Sequence, residues 1–190
     1  MINPTRITNY GLDVPELEEN ILFWVLAAGK DSKIIARGLN NLLEEVGRDV
    51  SPFEALRRYQ GDLSGLIKRN GIGCYTQKAK TVSGLIFSGI DLKNCGVEDL
   101  ERIWGVGRKT SRCYVMHTRR EARVAGLDVH ILKFLKEMGV NTPSRTPGSA
   151  KEYSRLEEVF LHFVPKGMSV AEFDLFIWNI YSRNGDPSSS

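Results

Sequence analysis

Cysteine is scarce in this chain, and the three present exclude several chemistries. Cys74, Cys95 and Cys113 are odd in number and widely spaced. They make no disulfide framework, so a reducing, intracellular setting is expected. No pair has zinc-ligand spacing, and no cysteine follows Cys113, which removes a four-cysteine iron–sulfur loop near the C-terminus. No metal centre is therefore expected. Long apolar runs are missing too. The longest near the start, residues 21–28, falls far below the roughly 18 residues that span a bilayer. Glu18 and Glu19 stand where a signal peptide carries positive charge. Neither export nor a membrane anchor is expected, and the cytoplasm or nucleoid is the predicted location. No stretch reads as a convincing strand, and there is no sequence repeat. Acids are scarce between Arg108 and Arg123, where Glu121 alone faces Arg108, Lys109, Arg112, Arg119, Arg120 and Arg123. Such a field attracts phosphates, although a solvated basic helix face explains the charge equally well.

What is present is helical. The chain has 190 residues and 42% hydrophobic residues, enough for one domain or two small interdependent lobes. Pro15 with Glu16, Glu18 and Glu19 opens a helix, because acids in a first turn suit the helix dipole. Its run Ile21-Leu22-Phe23-Trp24-Val25-Leu26 is apolar on nearly every side and predicts burial. Asp31 or Ser32 can cap a second helix, which Gly47 ends. Further helices are predicted over 52–59, 63–70, 75–88, 97–104, 108–117, 129–138, 150–163 and 170–182, the last capped by Ser169. The predicted fold class is all-α, with about nine to eleven helices.

One stretch carries chemistry. Leu100, Ile103, Gly105-Val106-Gly107, Arg108, Lys109 and Thr110 read as helix, tight turn and helix. The two glycines allow turn conformations closed to other residues. They also leave backbone N–H groups accessible at a helix N-terminus, where phosphate binds without base readout. A plain connection between packed helices has the same pattern. Asp128 follows Lys109 by nineteen residues, within Leu127-Asp128-Val129-His130.

Together these residues resemble the helix–hairpin–helix Gly/Pro–Asp (HhH-GPD) superfamily of DNA glycosylases. The resemblance covers roughly residues 21–178, and Gly73-Cys74-Tyr75-Thr76-Gln77-Lys78-Ala79 is similar to a further helix start in those enzymes. It implies a two-lobed single domain over 1–190. Residues 27–126 would form the lobe with the hairpin, 1–26 plus 127–183 the other lobe, and 184–190 a flexible tail. A lysine in the hairpin implies a bifunctional enzyme. Its amine attacks the sugar C1′ and the strand is then cleaved, so Lys109 and Asp128 are the implied catalytic pair. Cys113, one turn past Lys109, resembles a base-pocket cysteine of the 8-oxoguanine glycosylase/AP lyases. Asp174 and Trp178, four apart, look like the base-contacting pair on the last helix of the small archaeal-type enzymes. No room is left for the N-terminal β-domain of the eukaryotic type.

The implied partner is double-stranded DNA containing a damaged base, bound by a monomer. Gly105, Val106, Gly107, Arg108 and His130 would hold its backbone. No organic cofactor is implied, only a possible monovalent cation at the hairpin. Arg108 and Arg112 would crowd Lys109 with like charge and so favour its free amine. The turn Ala27-Ala28-Gly29-Lys30 lacks the amide side chain that fills the flipped-base gap in the family.

Plainer roles exist for each residue. Lys109 could be solvated, Asp128 only a helix cap, and Cys113 and Trp178 core residues. His130 could simply pack, and His117 and His162 read as ordinary. A glycosylase for another lesion (an oxidised pyrimidine, a deaminated or an alkylated base) and a non-catalytic hairpin that only binds DNA stay open.

Overall fold

The computed structural model describes residues 2–183, without the side chain of Arg183. The predicted tail, 184–190, lies outside the described residues. Among the described residues there are ten α-helices, one short 3₁₀ turn and no strand. Most helices begin where a short polar residue caps them. Asp13 accepts from the Glu16 amide at 2.9 Å and Glu16 returns a bond to the Asp13 amide at 2.9 Å, opening α1 (Val14–Ala27). Asp31, not Ser32, caps α2 (Ser32–Val46), and Ser51 caps α3 (Pro52–Arg58). Asp62 caps α4 (Leu63–Arg69), and Cys74 precedes α5 (Tyr75–Phe87). Each side-chain cap satisfies amides that a helix cannot pair itself and contributes about 1 kcal/mol.

The hairpin is α6 (Val97–Glu101) and α7 (Arg108–Thr118). The first helix is shorter than the predicted 97–104. After Glu101 the chain tightens: the Ile103 amide donates to Leu100 O, and the Val106 amide donates to Ile103 O, both at 3.0 Å. This tightening turns Leu100, Ile103 and Val106 together into the core, where all three are buried. Gly105 has φ +85°, and a Cβ there would meet Thr81 Oγ1 of α5 at 2.0 Å. Gly105→Ala is therefore strained twice. We expect it to destabilise the protein by about 2–4 kcal/mol, read by urea melts; a loss near zero would show that the hairpin relaxes.

The last three helices are α8 (Val129–Glu137), α9 (Ala150–Phe163) and α10 (Val170–Arg183). Two apolar cores result. The first joins α1 to α6 with Val106, Tyr114 and Val115, and the second joins Cys113 and Met116 of α7 to α8, α9 and α10. Ile21, Leu22, Phe23, Val25 and Leu26 of α1 pack in the first core, with the hairpin, rather than with the C-terminal helices. The reason is visible in α1 itself: it is apolar around its whole girth, so α2, α3, α5 and α7 enclose it. Helix α7 is shared, with one face in each core. None of the helices is long and apolar enough to cross a membrane.

Candidate active site

The shared helix carries three residues on one stripe. Lys109, Cys113 and His117 stand four apart and all line a cavity of about 760 Å³ between the cores. Asp128 and His130 enter at the start of α8, and Asp174 and Trp178 enter from α10. Trp24 of α1, the turn after it and Arg145 close the remaining sides. All five residues predicted for catalysis and the base pocket meet at this cavity. So does His130, whose ring lies edge-on to Trp178 at 6.4 Å.

Asp128 is held from both directions. Its Oδ1 accepts from the amides of His130 and Ile131, each at 2.9 Å, so it caps α8. The residues before it have no helix to satisfy their backbone, and α9 does so instead. Glu157 Oε1 accepts from the Ala125 amide at 2.8 Å. The Tyr153 hydroxyl donates to Ala125 O at 2.9 Å and accepts from the Leu127 amide at 2.9 Å. Thr146 Oγ1 donates to Leu127 O at 2.8 Å. Burial pushes the Tyr153 phenol up, so it stays a donor. A segment without secondary structure thus has its buried polar groups met by side chains, and Asp128 cannot drift.

Electrostatics divide the groups. Burial raises the Asp128 carboxyl above the usual range, and the Asp174 charge raises it further. Lys109, the Ile131 amide and His130 oppose this. Burial also drives the Cys113 thiol upward, so this cysteine is a neutral wall and not a nucleophile. Cys113 is 3% exposed, and a Cβ on Gly126 would sit 2.2 Å from its Sγ. Glycine at 126 therefore lets the segment before Asp128 lie against α7. We expect Gly126→Ala to destabilise the protein by about 2–4 kcal/mol in urea melts, and Cys113→Ala in the same chain to restore most of the loss. An unrescued double variant would place the damage elsewhere.

The predicted backbone grip divides likewise. Gly107 offers no side-chain cap, so the first-turn amides of α7 are left for a ligand. The Val106 amide is spent on Ile103 O and its side chain is buried, so it cannot bind a phosphate in the expected way. Arg108 Nη1 donates to Gly148 O at 3.1 Å, tying the hairpin to the loop before α9. The basic run is also less free than its sequence implies. Arg112 pairs with Glu101 at 2.6 Å and Glu157 at 2.8 Å, and lies over the Tyr153 ring. Arg119 donates to the carbonyls of Leu92 and Cys95. Arg112 is therefore held in an internal pair with two carboxylates. Lys30 folds across Gly73, its Nζ 3.1 Å from where a Cβ would stand.

Sequence reasoning missed Trp24, Gly126, Arg145 and His117. The stripe Lys109, Cys113, His117 was a signal that could have found the last of them.

No protein-family model matches the chain, and no curated protein does. Solved structures do. The all-α fold is shared with solved 8-oxoguanine DNA glycosylases. The 8-oxoguanine glycosylase/lyase of Methanocaldococcus jannaschii, in complex with a 15mer DNA containing 8-oxoguanine, superposes with a TM-score of 0.68 at 20% identity, over 90% of this chain and 82% of that one. A second structure of the 8-oxoguanine DNA glycosylase from that organism gives 0.66 at 18%, over 95% and 84%. The 8-oxoguanine DNA glycosylase of Thermotoga maritima gives 0.63 at 21%, over 87% and 79%.

Proposed function

We propose that this protein is a DNA glycosylase of base-excision repair, and more finely a bifunctional 8-oxoguanine glycosylase/AP lyase. The observation that carries the reading is the meeting of Lys109 and Asp128 on one cavity with Cys113, Asp174 and Trp178. The three structural neighbours, each an 8-oxoguanine glycosylase by name, support the substrate.

In this reading the protein binds duplex DNA as a monomer. Amides at the start of α7 take a backbone phosphate, and the damaged nucleotide turns out of the stack into the cavity. Flipping costs a few kcal/mol, recovered by stacking and hydrogen bonding in the pocket. Trp178 stacks on the base, Cys113 closes the wall, and the Asp174 carboxylate accepts from base N–H groups. The free amine of Lys109 attacks C1′. The bond from C1′ to the base breaks, and the base departs taking up a proton. Asp128 steadies the positive charge that develops on the sugar. Loss of a proton from the lysine nitrogen opens the sugar ring to a Schiff base. Removal of a C2′ proton then expels the 3′ phosphate, and water releases Lys109.

These steps need no organic cofactor. The hairpin offers a cation only backbone carbonyls, and those of Leu100 and Ile103 already accept amide hydrogens. Each carbonyl has a second lone pair, so a monovalent cation fits as a structural ion. The test is single-turnover excision on duplexes carrying 8-oxoguanine, uracil or thymine glycol, each scored for base release and strand cleavage. Release with cleavage on 8-oxoguanine supports the reading. Activity confined to another lesion moves the substrate, and none on any duplex refutes the glycosylase.

A further inference from the structure

One wall of the cavity holds a buried polar chain, of which the chemistry above uses only Asp174. His117 is 0% exposed. Its Nδ1 is 2.7 Å from Thr8 Oγ1, and its Nε2 is 3.3 Å from Asp174 Oδ2. The second contact is a close approach and not an aligned hydrogen bond, since Nε2 has no aligned partner. Trp24 stacks flat on the imidazole, with centroids 5.1 Å apart and planes 13° apart. The arm before α1 is fastened at the same place. The Asn9 amide donates to His117 O at 3.0 Å, and the Tyr10 hydroxyl meets Ser169 Oγ, the cap of α10, at 2.5 Å. The arm and Trp24 of α1 thus converge on His117 of α7, whose Nε2 stands beside the Asp174 carboxylate.

We propose that His117 is a positioning residue for base recognition, with Thr8 setting its hydrogens and Trp24 its plane, so that Asp174 faces the cavity as a fixed acceptor. The inference rests on the glycosylase reading and deepens it. The tautomer follows from the contacts. If Thr8 donates to Nδ1, hydrogen sits on Nε2, on the side of the carboxylate 3.3 Å away though not aligned on it. The imidazolium does the same. The remaining neutral tautomer would aim a lone pair at Asp174, which is repulsive. Held on one oxygen by His117, Asp174 keeps the other for the ligand. That ligand is a base edge carrying N–H groups, as a lactam or an exocyclic amine does. A base lacking them would leave the carboxylate unpaired and be rejected.

The test separates reading the base from attacking the sugar. Two reactions are measured: single-turnover excision from an 8-oxoguanine duplex, and borohydride trapping on a duplex with a preformed abasic site, which needs Lys109 but no base. His117→Leu is expected to lower excision about tenfold or more while trapping stays within about twofold. His117→Gln is expected to recover much of the loss, because its amide can donate where Nε2 did. Thr8→Val, on the partly exposed arm, is expected to shift excision in the same direction by less. Thermal melts establish that each variant is folded. If His117→Leu does not fold, Thr8→Val decides: a selective loss of excision supports the role, and unchanged excision overturns it. Equal loss of excision and trapping in a folded His117→Leu, no loss in either, or a glutamine no better than leucine also overturns it. Should the unaltered protein neither excise the base nor trap on the abasic duplex, the glycosylase reading itself falls, and the positioning role with it.

Discussion

Lys109→Gln is expected to abolish strand cleavage and to lower base release by about a thousandfold or more, with duplex binding changed only a few-fold. The asymmetry follows from position. Lys109 sits in the first turn of α7 on the cavity wall, so its amine is spent inside the pocket. In the proposed reading the phosphate grip belongs to neighbouring amides that glutamine leaves in place. Losing one charge from the interface weakens DNA binding modestly and flattens its salt dependence by about one ion. The fold should survive, because glutamine matches lysine in helix propensity. Gel-shift titration and single-turnover kinetics on the same duplex measure both halves. Loss of binding in parallel with activity would make Lys109 a phosphate contact.

Asp128→Asn is expected to lose activity by about a hundredfold or more while gaining stability at neutral pH. Asparagine caps a helix about as well as aspartate, so the bonds to the His130 and Ile131 amides persist. What goes is a charge that burial and Asp174 make unfavourable. The pH dependence has a definite sign. The folded-state pKa of Asp128 lies above its unfolded value of about 3.9. Between those two values the native state binds more protons than the unfolded one, so stability falls as pH rises through that window. The variant escapes this fall. Its advantage should be absent below about pH 4, grow through the window, and level off above the folded pKa. Urea melts across pH show this. A variant less stable than the parent at pH 7 would mean that Asp128 is stabilised by Lys109 more than it is strained by Asp174.

Much of the frame was legible because it is written in local chemistry. Asp31 and Ser169 mark helix starts. Gly105 marks the turn of positive φ. Lys109, Cys113, Asp128, Asp174 and Trp178 were legible because family-like spacing places them. Other features depend on contacts between distant segments, which no local pattern encodes. Whether an arginine faces water or Glu157 is decided by α9, so Arg112 reads as free charge in sequence and is an internal pair in the fold. Helix α1 joins the hairpin's core because four helices surround it. His117 looks like an ordinary buried histidine until Thr8, Trp24 and Asp174 are seen around it.

The most direct measurement is borohydride trapping on an 8-oxoguanine duplex, followed by mass spectrometry of the digested adduct. If Lys109 is the nucleophile, reduction fixes the DNA sugar to the peptide bearing Lys109, and Lys109→Gln yields no adduct. An adduct on any other residue, or none with the unaltered protein while base release proceeds, would contradict the lysine chemistry placed at this hairpin.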